Sequence, residues 1–401
     1  GHYEGLYSLA EEAFVNEKDL VDGKTTQGDI PIWTSEESYF FKLDKFQEQL
    51  KKHILNNPNF IYPESRKNEM LNNFINEKLF DVSVTRTSFD WGIRLPFDDK
   101  HISYVWIDAL SNYITGLGYD PNLENQPEEF VKYWPADVHV IGKDILRFHT
   151  VFWPILLMAL GLELPKQIFG HPWILFDKSK MSKSKGNVIY TDKLIDEFGV
   201  DVVRYYCLHE IPFGTDGNIT YELVIERNNS DLANTLGNLV NRTLGMVNKY
   251  RGGEVKRIIL DDEPSLNLRN KALNTLPTMR KLMDEFKVAD ALDEAIDLAR
   301  AANKYIDLEE PWVLFKDDLK KDELDNVLYH LIETIRFLSV LLAPFMPGTA
   351  RRISEQINFE EKDFKSLTEF GLYPTSRPNK AEALFQRYDL EEKMEKIINK
   401  K

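Results

Sequence analysis

Residues 138–172 read VHVIGKDILRFHTVFWPILLMALGLELPKQIFGHP, and this stretch decides the fold class. Val138–Ile141 is a short apolar run that stops at Gly142, and Asp144–Leu160 is long, apolar and suited to a helix. Gln167–Phe169 is another short apolar run, ahead of Gly170-His171-Pro172. Short apolar runs separated by a helical segment predict buried parallel strands in an α/β sheet covered on both faces. Upstream, His101–Ile107 (HISYVWI) predicts a further strand, with Asp108–Leu117 as the helix that follows it. Ligands of such sheets sit beyond the C-terminal strand ends, which directs attention to Trp106–Tyr113, Gly142–His149 and the loop after residue 173.

Outward from this stretch the texture changes twice. Residues 1–96 are irregular, with one helical pattern in which Phe46, Leu50 and Ile54 recur every four residues before Asn57-Pro58 ends it. After about residue 222 the pattern is helical. Leu232, Leu236, Leu239, Val240 and Val247 share one face, and Leu273, Leu276, Met279, Leu282 and Phe286 another. Leu292, Ala295, Ile296, Ala299 and Ile306 make a third, and Leu324, Val327, Leu328, Leu331, Ile335, Leu338 and Leu342 a fourth, stopped by Pro344 and Pro347. The expected organisation is therefore an irregular insertion over 1–96, a parallel α/β segment over 97–176, a loop and linking segment over 177–225, a helix bundle over 226–357, and a charged terminal stretch over 358–401. A length of 401 residues suits two or three domains.

Composition excludes several function classes. With 43% hydrophobic and 29% charged residues the chain is globular. No apolar run approaches the ~18 residues that span a bilayer, and the opening Gly1–Glu4 shows no leader pattern. The single cysteine, Cys207, rules out internal disulfides and every multi-cysteine zinc knuckle, and fits a cytoplasmic setting. A net charge of −15 repels nucleic acid on average, so any RNA contact has to come from local basic patches. One such reversal runs from Gly237 to Arg257, with five basic residues and one acidic residue.

The loop Asp177–Asn187 reads DKSKMSKSKGN. Four lysines interleaved with serines suit a polyphosphate, the ammonium groups neutralising charge while hydroxyls and loop N–H groups donate hydrogen bonds. The glycine spacing of a Walker loop is absent. Lys180-Met181-Ser182-Lys183-Ser184 resembles, letter for letter, the signature lysine loop of class I aminoacyl-tRNA synthetases. The resemblance implies a loop that closes on ATP and stabilises the α-phosphate and the departing pyrophosphate. Lys180 and Lys183 would be the catalytic members, and Met181, Ser182 and Ser184 would complete that side of the ATP site with Gly142 and Asp144.

Other segments are similar to methionyl-tRNA synthetases in particular. Tyr104–Tyr113 (YVWIDALSNY) resembles that family's methionine-pocket motif, and Ile141–His149 (IGKDILRFH) its second pocket segment. By position, Trp106, Ala109, Leu110, Tyr113, Ile145 and His149 would enclose the methionine side chain. A thioether offers little to hydrogen-bond, so shape and sulfur–ring contacts of about 0.3–1.5 kcal/mol must do the selecting. In the bundle, Asn234, Asn238 and Arg242 step by four, and residues 303–312 (NKYIDLEEPW) resemble the family's other anticodon segment. The resemblance implies that Asn238 and Arg242 read the first anticodon base, with Pro311 and Trp312 supporting and stacking on it. As bare patterns, an Asn/Arg stripe is more often a solvated face, and Pro-Trp after a helix a cap. Tyr3–Ser8, Ser38–Phe41, Ser65–Glu69 and Trp91-Gly92-Ile93 look like the family's inserted domain.

Two departures qualify the resemblance. The class's His-x-Gly-His signature is absent from all eight histidines, so the chain reads as a C-terminal portion that should not adenylate methionine alone. Relatives carry cysteine pairs beginning where this chain has Ser8 and Glu11, so no structural zinc or other protein-held metal is expected. The expected fold is thus the second half of a Rossmann-like parallel sheet with a connective insertion, followed by an α-helical anticodon-binding bundle. The implied function is methionine–tRNA ligation, with ATP and its Mg2+, methionine, and a tRNA(Met) bearing a CAU anticodon as partners, and no membrane. Another class I synthetase, or a tRNA-binding module without catalysis, are the competing readings.

Overall fold

The apolar run ahead of Gly170 is the central strand of a three-stranded parallel sheet. Ile168–His171 pairs with His139–Gly142 on one side and Ile61–Tyr62 on the other, with His139 opposite Ile168 and Gly142 opposite His171. A computed structural model of the chain describes residues 1–8, 13–15, 17, 20–25, 28–88, 90–176, 179–181, 188–359 and 363–399. The backbone divides into two packing units, Gly1–His171 and Pro172–Lys401.

In the first unit the sheet takes its third strand from residues 61–62, so the line drawn at residue 96 runs inside this unit. The Asp44–Asn56 helix forms as its four-residue spacing predicts, with Leu50 and Ile54 buried, and Asn57 closes it through its backbone N–H to the His53 carbonyl. Two expectations are corrected. HISYVWI is not a parallel strand: Asp98–Ser103 is antiparallel, between Thr85–Arg86 and Arg94–Leu95, and Val105 already opens the Val105–Thr115 helix. Leu110 and Ile114, four apart, are the residues that helix buries. Packing at helical period overrides the β-propensity of Val105, Trp106 and Ile107.

The second correction concerns Asp144–Leu160, which is not one regular helix. Lys143–Ile145 is a 3₁₀ turn, Phe148–Phe152 a π-helical turn, and only Trp153–Leu160 is α-helical. Pro154, in the first turn of the α segment, has no N–H for the Thr150 carbonyl, and the ladder slips to the wider π spacing just before it.

In the second unit, Ile174–Phe176 runs parallel to Gly217–Ile219 and antiparallel to Ser179–Lys180. Helices begin at Thr191, earlier than the expected residue 222, and continue after the strand Gly217–Ile219. Glu263–Asp284 and Val288–Glu309 form an antiparallel hairpin about the left-handed Phe286. Lys321–Leu341 is the centre of the bundle, buried on every side from Leu324 to Leu341. Its sequence predicts one apolar face and one wet face. Its polar side is dry because the chain from Phe364 to Ser376 folds over it. The C-terminal helix Leu390–Asn399 lies on the same unit, with Lys393 Nζ 2.8 Å from Glu197 Oε2.

An ion pair anchors the C-terminal half of this dry polar side. Glu333 and Arg336 are both fully buried. Arg336 donates to both Glu333 oxygens (2.9 and 2.8 Å) and to Ser366 Oγ and the Ser366 and Glu369 carbonyls. Glu333 accepts the backbone N–H groups of Gly371, Leu372 and Tyr373 at 2.7–3.0 Å. Removing one partner leaves the other charge buried alone, which costs about 3–5 kcal/mol. Glu333→Ala should lower the stability of the second unit by that amount in urea unfolding followed by far-UV circular dichroism; a loss below ~1 kcal/mol would show that the pair is not needed.

Candidate active-site pocket and nucleic-acid interface

On the Val105–Thr115 helix, Trp106, Ala109, Leu110 and Tyr113 fall at i, i+3, i+4 and i+7, one face of two turns. Trp106 and Tyr113 are half-buried, Ala109 is exposed, and Leu110 is fully buried in the unit's core. Facing them are Phe148 and His149 of the π-helical turn. Trp106 lies flat on Phe148, with ring centroids 3.8 Å apart and planes at 7°, and stands edge-on to His149 at 6.3 Å. Tyr113 reaches His149 through its hydroxyl, 2.9 Å from Nε2.

That contact settles the proton inventory. His149 Nδ1 lies 3.0 Å from the Ile145 carbonyl, which can only accept, so Nδ1 carries the proton and Nε2 accepts from Tyr113. Burial pushes the His149 pKa down and the Tyr113 pKa up, so both groups are neutral at pH 7. Ile145 itself is half-buried. The pocket thus joins aromatic faces and a neutral imidazole, an environment suited to a polarisable, uncharged side chain.

His139 belongs to this cluster, and the sequence reading missed it. Its ring lies 4.2 Å from that of Tyr113, and Trp153 Nε1 donates to its Nε2 at 3.4 Å. Burial, with His149 nearby, pushes its pKa down to about 4. The available signal was a lone polar residue inside the apolar run VHVI. Phe148 was missed as well, although it sits beside His149 and supplies the stacking face.

The residues expected on the ATP side by resemblance belong to both units, Gly142 and Asp144 to the first and Lys180 and Met181 to the second. Gly142 ends its strand, and a Cβ there would stand 2.5 Å from Asp144 Oδ1, so the close approach of that carboxylate requires glycine. Asp144 is exposed. In the second unit, Lys180 pairs opposite Leu175 and Ser179 opposite Phe176. Met181 is half-buried against that unit's core. Ser182, Lys183 and Ser184 lie outside the described residues. Among the described residues no cluster of His, Cys, Asp or Glu could hold a metal ion. At the position where relatives carry cysteines, Ser8 Oγ instead donates to Asp29 at 2.8 Å; Glu11 lies outside the described residues.

The bundle holds the second candidate surface. Asn238 and Arg242, both half-buried, sit on the first two turns of the Asn238–Arg251 helix. Asn238 Nδ2 donates to Asn303 Oδ1 at 3.2 Å and Arg242 Nη2 to Asp307 Oδ1 at 3.0 Å. Two residues four apart on one helix therefore match two residues four apart on Val288–Glu309. Asn303 is itself held by the Thr235 and Ala299 carbonyls. Asn234 does not join this ladder: it lies in the π-helical Asn228–Gly237, whose wider turn breaks the four-residue register, and it is exposed. One turn past Asp307 the helix ends at Glu310, which adopts φ +45° and positions the Pro311–Leu314 turn. Pro311 is buried and Trp312 is 37% exposed.

The two depressed histidines give the first unit a directed pH dependence. The unfolded chain protonates them near pH 6.5 and the folded pocket resists, so stability is full above that pH and falls as pH drops toward 4. His139→Phe should flatten that decline in urea unfolding between pH 7 and pH 4.5. An unchanged slope would show that His139 does not carry it.

Comparison with known proteins extends these observations. Residues 9–244 match the family described as tRNA synthetases class I (M), and residues 262–391 match the anticodon binding domain of methionyl tRNA ligase. The chain is 52% identical over 399 residues to the methionine–tRNA ligase of Clostridium tetani and 47% identical over 416 to that of Bacillus subtilis. In each case 99% of this chain is covered, and it spans 62% of the relative's length. A solved Mycobacterium tuberculosis methionyl-tRNA synthetase in complex with methionyl-adenylate superposes with a TM-score of 0.89 at 39% identity, covering 96% of this chain and 77% of that one. With one family model spanning more than half of it and relatives near 50% identity along nearly all of it, the chain belongs to the class I aminoacyl-tRNA synthetases, in the methionyl branch.

Proposed function

We propose that this chain works in methionine–tRNA ligation: methionine and ATP give methionyl-adenylate, and the methionyl group then passes to the terminal ribose of a tRNA(Met) with a CAU anticodon. In the first step a methionine carboxylate oxygen bonds to the α-phosphorus as the bond to pyrophosphate breaks. In the second a ribose hydroxyl attacks the carbonyl carbon and AMP leaves. Neither step demands much acid–base chemistry. Positioning and charge stabilisation supply most of the rate.

In this reading Trp106, Tyr113, Ile145 and His149 receive the methionine side chain, with Phe148 and His139 as further members. Ala109 lines the rim and Leu110 supports the wall from the core. Gly142 and Asp144 serve the nucleotide, Lys180 and Lys183 meet the phosphates together with Mg2+, and the setting is cytoplasmic. Among the described residues no helix is long and apolar enough to cross a membrane.

The observation that carries the reading is the paired ladder Asn238–Asn303 and Arg242–Asp307, ending one turn later at an exposed Trp312. The ladder holds amide and guanidinium donors at a fixed spacing, and the indole offers a stacking face for a splayed base. Base–aromatic stacking contributes about 1–3 kcal/mol, so Trp312→Ala should weaken binding of the CAU tRNA by roughly 5- to 150-fold. Changing the first anticodon base should weaken the parent chain comparably in a filter-binding titration. Equal binding of both tRNAs would reduce the ladder to a solvated face and overturn the proposal. Pocket chemistry gives a second test. Trp106→Ala should abolish protection of the chain by millimolar methionine against thermal unfolding, and protection equal to that of the parent would remove Trp106 from the pocket.

A further inference from the structure

The polar ladder of the bundle continues past its two rungs. On the Val288–Glu309 helix, Asp293, Arg300, Asn303 and Asp307 follow one another by seven, three and four residues, so they share one stripe. Arg300 Nη2 donates to Asp231 Oδ1 of the π-helical Asn228–Gly237 at 3.4 Å, one turn before the Asn238–Asn303 pair. At the far end of the stripe stands His209, the last residue of the Val200–His209 helix.

The His209 side chain is only 14% exposed, and both of its ring nitrogens face carboxylates. Nδ1 lies 2.7 Å from Glu210 Oε1, and Nε2 lies 3.6 Å from Asp293 Oδ1, the oxygen that also takes Arg300 Nη1 at 3.0 Å. A neutral imidazole has one N–H and would turn a bare lone pair toward one of these acceptors, whereas the imidazolium meets both. Tyr205, fully buried, stacks on the ring with centroids 5.0 Å apart and planes at 16°, and its hydroxyl donates to Asp231 Oδ2 at 3.1 Å. From the Tyr221–Arg227 helix, Arg227 bridges Glu210 at 2.9 Å and Asp231 at 3.6 Å. Arg300 Nη1 also donates to Asp297 Oδ1 at 2.6 Å. Four carboxylates thus meet two guanidinium groups, and the imidazolium supplies the third positive charge. Burial opposes that charge, but the Glu210 hydrogen bond and the neighbouring carboxylates outweigh it and push the His209 pKa up. The interaction is therefore complete below pH 6.5 and is lost as pH rises through the raised value. This is the reverse of the dependence carried by His139 and His149 in the first unit.

We propose that His209, as an imidazolium, is a positioning residue for anticodon binding. By holding Asp293 it fixes the register of the stripe whose other end presents Asn303 and Asp307 to Asn238 and Arg242, and it releases that register when the proton leaves. The inference rests on the anticodon-binding reading of the bundle and adds to it a proton-controlled grip on the ladder.

The test follows binding of a CAU anticodon stem-loop RNA to the full chain by fluorescence anisotropy from pH 6.5 to 9 at fixed ionic strength. Hydrogen exchange of peptides from residues 288–309, corrected for the intrinsic rate at each pH, reads the grip without RNA. A partly exposed ion pair moves such an equilibrium by a factor of about 2–5, so the parent should lose affinity roughly threefold across the range. His209→Arg keeps a planar cation and should hold the acid-side affinity and protection at every pH. His209→Gln and Asp293→Asn should both be flat, at the alkaline level of the parent, and far-UV melts verify that each variant folds. A parent curve that matches His209→Arg in either readout, or a His209→Arg variant as weak as His209→Gln, would overturn the proposal. If the parent binds the CAU loop no better than one with its first anticodon base changed, the anticodon reading fails and the binding role of His209 falls with it. Exchange of residues 288–309 that ignores pH beside intact base discrimination overturns the grip alone.

Discussion

A charged pair sealed inside a helix bundle organises the second unit. Glu333 and Arg336 sit one turn apart on the Lys321–Leu341 helix, paired with each other and hydrogen-bonded to the chain between Ser366 and Tyr373. A charge without water is tolerable only when paired and fully hydrogen-bonded, and here three backbone N–H groups, two carbonyls and the Ser366 hydroxyl surround the pair. The pair therefore ties an otherwise irregular segment down and keeps the central helix dry all round. Against that helix rest the two that carry the Asn238–Asn303 and Arg242–Asp307 ladder. The spacing of those four polar groups is only as constant as the packing behind them.

The first unit solves a different problem with similar means. A buried aromatic cluster must hold polar groups without holding charge. Tyr113, His149 and the Ile145 carbonyl form a chain in which each donor meets an acceptor, and burial keeps the imidazole neutral. The π-helical turn at Phe148–Phe152 is part of the arrangement. By adding a residue to one turn it carries both Phe148 and His149 toward the Val105–Thr115 helix, and Pro154 is the local reason that the turn exists. Strand, turn and helix ends converge because the parallel sheet brings the ends of His139–Gly142 and Ile168–His171 to the same edge.

Much of this was legible in the residues. The alternation of short apolar runs and helical segments specified an α/β unit, and the four-residue periodicities after residue 222 specified a bundle, because burial of one face leaves a regular mark. The clustered side chains Trp106, Tyr113 and His149 and the stripe Asn238–Arg242 were visible as motifs at fixed spacing. His139 and Phe148 were not, since nothing local distinguishes a pocket-lining ring from a core ring. HISYVWI was misread as a strand throughout because β-branched and aromatic residues serve both a strand and the buried face of a short helix.

By itself, then, the amino-acid order determined the α/β character of the stretch around residues 138–172, the helical character of the region after residue 222 and the cationic composition of residues 177–187. These are properties of neighbours along the chain. Tertiary structure alone decided that the polar side of Lys321–Leu341 is buried, that Asn303 and Asp307 are the partners of Asn238 and Arg242, and that Phe315 rests on Tyr250. Each of those contacts joins residues separated by thirty or more positions. No local periodicity encodes which covered face meets which, because that choice is made by the fit of whole helices against one another.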